Sequence, residues 1–179
     1  MKKAVFLDRD GTLNEDENYT HKLEHFKLLP GVIEGLKKLK KDYILIIITN
    51  QSGIGRGIFK EDEFHKFNNH LIGDLKKQGI EVKKTYYCPH TPQDNCDCRK
   101  PKIKNIKEAV KEFGIDLKKS WMIGDHPCDV ELGKNAGTKT IFMLTGHGKK
   151  HVNELGKMLS PTFIAKNFND AADFIIKND

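Results

Sequence analysis

Short apolar runs alternate along the chain with segments whose apolar residues recur every three or four positions, and this alternation predicts strands joined by helical crossovers. The runs Ala4–Leu7, Tyr43–Thr49, Val82–Tyr87, Trp121–Ile123 and Thr140–Leu144 read as strands, with a sixth at Thr162–Ala165. Several are apolar throughout, which suits interior strands of a parallel sheet covered on both faces. Between them, Val32, Ile33, Leu36 and Leu39 share one helical face, and Phe64, Phe67, Leu71 and Leu75 share another. Ile106, Ala109, Val110 and Phe113 make a third face that stops at Gly114, and Asn169–Ile176 reads as a last helix. The fold class implied is α/β with a mostly parallel sheet.

In such a sheet ligands gather beyond the carboxyl ends of the strands, so the residues found there carry the most information. The first strand runs into Asp8-Arg9-Asp10-Gly11-Thr12, the second ends in Thr49-Asn50-Gln51-Ser52-Gly53, the third enters a cysteine-rich stretch, and the fourth ends in Gly124-Asp125. Glycines at 53, 55 and 57 punctuate the loop after the second strand.

Composition narrows the picture. A chain of 179 residues suits one globular domain spanning 1–179, with no linker, repeat or low-complexity segment. The longest apolar run, Ile44–Ile48, has the length of a buried strand and falls far short of a membrane span. Asp8 interrupts the first apolar run before it could serve as a signal peptide, so a cytoplasmic location is expected. The net charge of +6 comes from lysines spread over helical segments and not from a basic block interleaved with aromatics, which argues against a nucleic-acid partner. A monomer is the default expectation.

Asp8 and Asp10 lie two apart at a strand end and can face one pocket; Asp125 from another strand makes the site oxygen-rich and acidic. Such a cluster suits Mg²⁺, a hard cation that takes a few carboxylates and keeps waters or phosphate oxygens. Any one of these acids could simply cap a turn, but their conjunction with Thr49 and Lys100 points to phosphate chemistry. Asp129, one helical turn past Asp125, suits either helix capping or a supporting role beside Lys100.

Cys88-x-His90 and Cys96-x-Cys98, separated by five residues, supply a complete Cys₃His set, the complement of a tetrahedral structural Zn²⁺ with no open position for a reactive water. The enclosed loop has little apolar material to bury, so a metal would fix it and aim the adjacent Arg99 and Lys100. Cys128 stands apart without a role.

Taken in order, Asp8-Arg9-Asp10-Gly11-Thr12, Thr49-Asn50-Gln51, Lys100 and Gly124-Asp125-x-x-x-Asp129 resemble the four motifs of the haloacid dehalogenase (HAD) superfamily of phosphatases. Tyr87-Cys88-Pro89-His90 and Cys96-Asp97-Cys98-Arg99-Lys100-Pro101 are similar to the histidinol-phosphatase and D,D-heptose 1,7-bisphosphate 7-phosphatase subfamily. The resemblance implies a Rossmann-like, three-layer HAD-type fold. The roughly thirty residues between Asp10 and the second strand leave no room for a separate cap domain.

It further implies Asp8 as nucleophile, Asp10 as general acid and base, and Thr49 and Lys100 as stabilisers of the transferring phosphoryl group. Mg²⁺ would be held by the Asp8 side chain, the Asp10 main-chain carbonyl and Asp125. Substrate contacts are expected from Asp16, Glu17, Asn18, Tyr19, Asn50, Gln51, Ser52, Arg56, Arg99 and His126, the last standing where relatives commonly place lysine. The leading substrate is a small phosphorylated sugar, a heptose 1,7-bisphosphate losing its 7-phosphate on the way to nucleotide-activated heptose for surface polysaccharide. Arg99 favours this bisphosphate, while Asp16 and Glu17 keep histidinol phosphate open. A nucleic-acid 3′-phosphatase and a noncatalytic zinc-binding module are more distant alternatives.

Overall fold

Six parallel strands in the order β3-β2-β1-β4-β5-β6 form the sheet: β1 (Ala4–Leu7), β2 (Ile44–Asn50), β3 (Val82–Cys88), β4 (Trp121–Gly124), β5 (Lys139–Met143) and β6 (Phe163–Ala165). The computed structural model describes residues 1–156 and 159–179. The helices are α1 (Val32–Leu39), α2 (Ser52–Gly55), α3 (Glu61–Lys77), α4 (Lys104–Phe113), α5 (Pro127–Ala136), α6 (Gly148–His151) and α7 (Phe168–Lys177).

Period-two alternation sorts the strand residues into two cores. Val5 and Leu7 of β1 point, with Leu45 and Ile47 of β2, into the core covered by α1, α3 and α7. Ala4, Phe6, Ile46 and Ile48 point the other way, toward Ile106 and Ala109 of α4 and Leu132 of α5. Both faces of the central strands are therefore apolar, which is why those strands read as unbroken hydrophobic runs. Among the described residues, no helix is long and apolar enough to cross a membrane.

Three helices lay outside the periodic pattern, the single turn α6 after β5 among them. The glycine-punctuated loop after β2 contains a single helical turn, α2. The helix α5 lacks a clean apolar stripe because it approaches the sheet through Gly133: a Cβ there would lie 2.4 Å from Thr140 Cγ2.

The strand order decides where the site forms. The chain leaves β1 outward to β2 and β3, then returns to place β4 on the other side of β1. That reversal opens a crevice beyond the carboxyl ends of β1 and β4. The register pairs Leu7 with Ile123, and the Asp8 amide donates to the Ile123 carbonyl at 2.9 Å, so Asp8 and Asp125 emerge side by side.

Candidate active site

A cavity of 360 Å³ lies in this crevice, lined by Asp8, Asp10, Asp16, Asn18, Tyr19, Thr49, Asn50, Gln51, Ser52, Arg99, Lys100, Asp125, His126, Cys128 and His147. The side chains of Asp8, Asp125 and Asp129 offer oxygens within 4.8 Å of one another. The buried Lys100 ammonium sits 2.7 Å from Asp8 Oδ1 and 2.7 Å from Asp129 Oδ1. Two of the three acids thus share one cation, and Asp125 lies beside them without an ion pair of its own among the described residues. Burial, opposed by Lys100 and assisted by the Asp129 charge, raises Asp8 to about 6. Burial, then the Asp8 and Asp129 charges, raises Asp125 to about 8. For Lys100, burial works against the ammonium, but Asp129 and Asp8 outweigh it and hold the group above its ordinary value.

The backbone is shaped around these carboxylates. Gly11 has φ +74°, and a Cβ there would lie 2.2 Å from Asp125 Oδ2. Asp129 does two jobs: Oδ2 accepts from the His126 amide at the start of α5, and Oδ1 holds Lys100. The Asn50 side chain clamps the Lys100 backbone, with Oδ1 accepting from its amide at 3.0 Å. Thr49 Oγ1 accepts from Gln51 Nε2 at 3.0 Å, which leaves the hydroxyl hydrogen for another acceptor.

Asp10 lines the same cavity, yet its carboxylate stands apart from the acid cluster. It is engaged by Arg9, by Asn14 Nδ2 at 2.9 Å and by Gln51 Nε2 at 2.9 Å. The neighbouring Arg9 carbonyl accepts the amides of Thr12, Leu13 and Asn14, whereas the Asp10 carbonyl takes no hydrogen bond among the described residues. The donors fit a magnesium ion: a clustered, electrostatically under-compensated carboxylate set with an uncommitted carbonyl nearby is oxygen chemistry for a hard cation.

The second cluster is local. Cys88 Sγ lies 3.5 Å from Cys96 Sγ, and His90 Nδ1 lies 3.6 Å from Cys88 Sγ and 3.3 Å from Cys98 Sγ. All four ligand atoms fall within 4.8 Å of one another. A tetrahedron with zinc–sulfur bonds of about 2.3 Å has edges of about 3.8 Å, so the set fits the ion. Gln51 N to Cys88 O at 2.7 Å and Gly55 N to Pro89 O at 2.9 Å tie the start of the loop to the end of β2 and to α2. Arg99 Nη1 donates to His90 O at 3.2 Å and lines the cavity.

Comparison with known proteins agrees with this geometry. Residues 97–171 match a family model described as HAD-hydrolase-like. The chain is 43% identical over 166 residues to the D-glycero-beta-D-manno-heptose-1,7-bisphosphate 7-phosphatase of Pasteurella multocida, covering 86% of this chain and 90% of that one. This chain belongs to that family of HAD-type hydrolases. A Campylobacter jejuni member, named for the alpha anomer, is 41% identical over 149 residues, covering 83% and 86% of the two chains. A D,D-heptose 1,7-bisphosphate phosphatase from B. bronchiseptica, solved with magnesium and phosphate, superposes with a TM-score of 0.90 at 27% identity, covering 99% of each chain.

In this HAD-type hydrolase the cavity gathers most, though not all, of the substrate contacts expected from the sequence. Glu17 and Arg56 lie outside the lining: Glu17 faces His25, with Oε2 3.3 Å from its Nδ1, and Arg56 ends α2 on the exposed side. Two residues without an expected role line it, His147 and Cys128. The His147 amide donates to Asp125 Oδ2 at 2.8 Å, and its Nε2 lies 3.1 Å from Asp16 Oδ2. Its position beyond the carboxyl end of β5 was the available signal. His126 is pushed below the ordinary histidine value by burial and then by His151; its Nδ1 accepts from the Cys128 amide, so a neutral ring carries its hydrogen on Nε2.

Proposed function

We propose that this protein hydrolyses the 7-phosphate of a D-glycero-D-manno-heptose 1,7-bisphosphate through a phosphoryl group carried on Asp8. The observation that carries the reading is the position of Asp8: on the floor of the cavity, with Lys100 Nζ and the Arg9 amide both donating to Oδ1. Those contacts hold the carboxylate and leave Oδ2 to attack phosphorus.

In the first step an oxygen–phosphorus bond forms from Asp8 while the bond to the sugar oxygen breaks, and Asp10 delivers its proton to that departing oxygen. In the second, Asp10 takes a proton from water as the water oxygen bonds to phosphorus and Asp8 is released. The Gln51 contact to Asp10 Oδ2, 2.9 Å, is the one that must yield to the sugar oxygen. Lys100 and the Thr49 hydroxyl face the phosphoryl oxygens and take up the charge that builds there. Asp8, Asp125 and the Asp10 carbonyl would hold Mg²⁺, which when bound supplies charge neutralisation between two anions. Cys88, His90, Cys96 and Cys98 would hold a structural Zn²⁺ that presents Arg99 toward the second phosphate.

Both anomers occur in the names of relatives, so the experiment measures kcat/KM for each heptose bisphosphate anomer and for histidinol phosphate at one magnesium concentration. A preference for either bisphosphate of at least about 10²-fold is expected from the extra charge-assisted pairing. Equal or better turnover of histidinol phosphate would sink the sugar assignment.

A further inference from the structure

Arg9 is fully buried, and the chemistry above uses its amide but not its guanidinium. Its Nε donates to Asp10 Oδ1 at 2.9 Å and its Nη2 to Asp10 Oδ2 at 2.6 Å. The same Nη2 donates to the Thr20 carbonyl at 2.8 Å and reaches Gln51 Oε1 at 3.5 Å. Its face is set by aromatics of α3, with the guanidinium carbon 4.8 Å from the Phe67 ring centre and 5.4 Å from that of Phe64. Nη1 has no hydrogen-bond partner among the described residues.

Burying a guanidinium carries a desolvation penalty, and an apolar side chain between Phe64 and Phe67 would fill the space at less cost. The contacts it makes instead all point to groups at the cavity. Thr20 ends a loop, residues 16–20, in which Asn18 and Tyr19 are left-handed at φ 60° and 59°. Asparagine tolerates this conformation, but for Tyr19 it is unfavourable and persists where surrounding contacts enforce it. Here the enforcing contacts are Glu17 N to Thr20 Oγ1 at 3.0 Å, Asn18 N to Asp16 Oδ1 at 2.9 Å, and Arg9 to Thr20 O.

We propose that Arg9 is a positioning residue that locks the Asp10 carboxyl, the loop at residues 16–20 and Gln51 into one arrangement, so that protonation of the leaving group depends on it. The inference rests on Asp10 being the acid of the proposed reaction. Its signature is selective. A sugar alkoxide needs a proton to depart, whereas p-nitrophenolate does not, so a misdirected Asp10 harms the sugar ester far more than the aryl ester.

The test is kcat/KM for heptose 1,7-bisphosphate and for p-nitrophenyl phosphate in wild type, Arg9→Lys and Phe67→Leu. The ratio of the two values cancels any unfolded fraction, and kcat/KM reports the steps up to phosphorylation of Asp8. Arg9→Lys keeps the charge and loses the fork; it should lower the sugar-to-aryl ratio at least tenfold, within the range of about 10²–10⁴ that an acid–base group supplies. Phe67→Leu, which removes the ring beneath the guanidinium and keeps the core apolar, should shift the ratio the same way by a smaller factor. An unchanged ratio in both variants overturns the inference. Wild-type turnover confined to another alkyl ester would instead refute the sugar assignment, and the same ratio measured with that ester would decide on Arg9. No turnover of any phosphate ester would overturn both.

Discussion

The two candidate metal centres of this molecule are built in opposite ways. The Cys88, His90, Cys96 and Cys98 set comes from one short stretch, the last residue of β3 and the loop after it, whereas the acid cluster draws Asp8 from just past β1, Asp125 and Asp129 from the β4–α5 junction, and Lys100 from the segment before α4. The local set has almost no other means of holding its shape: Pro92, Gln93, Asp94 and Asn95 bury nothing in the core, and the chain turns there on a Thr91–Asp94 capping box. The dispersed set is held by the sheet itself. An ion in the loop would therefore supply structure, and an ion in the cleft would supply charge to a structure already made.

This contrast can be broken in four ways, from the largest effect to the smallest. Asp8→Asn should lower phosphate release at least about 10⁴-fold while circular dichroism stays that of the wild type, since the sheet does not depend on this carboxylate. Turnover within tenfold of wild type would refute the covalent route. Cys96→Ser should reduce bound zinc, measured by elemental analysis, from one per chain and cost about 10–100-fold in kcat/KM, with the sheet still folded. Loss of the whole fold on zinc removal would show that the loop and the sheet are not separable.

Asn50→Ala removes the clamp on the Lys100 backbone, which is the joint between the two regions. A hydrogen bond worth about 1 kcal/mol predicts a loss of about five- to tenfold in kcat/KM with zinc content unchanged. Lys104→Ala deletes an exposed pair with Asp97 beside the loop, 3.0 Å apart. Turnover should stay within about twofold and zinc should be retained, because exposed ion pairs contribute little; zinc loss there would mean that surface charge and not the ligand set holds the loop.

The same contrast explains what could be read in advance. The strands were legible because burial on both faces leaves an apolar run, and the shifts at their ends are small: Tyr43 precedes β2, which runs on through Asn50, and β3 reaches Cys88. The Cys₃His set was legible because its geometry is encoded in spacing. Asn50 was expected to touch substrate, and it does line the cavity, but its side chain also grips Lys100, a partner 50 residues away that no local pattern announces. The pairing of Arg9 with Asp10 was hidden for a different reason. Neighbouring residues at a strand end usually point apart, and here the turn at Gly11 folds one guanidinium back over its neighbour's carboxylate.

By itself the sequence determined where the six strands and the helices α1, α3, α4 and α7 lie, through hydrophobic period, and the candidate ligand set of the loop, through proximity along the chain. Tertiary structure alone decided that Lys100 is shared between Asp8 and Asp129, that His147 meets Asp16 at the cavity wall, and that Glu17 and Arg56 fall outside it. The reason is physical. Period and spacing are local quantities, while the meeting of strand ends depends on the return of the chain to lay β4 beside β1, and the charges that matter to one another acquire their environment only when that crevice is closed from water.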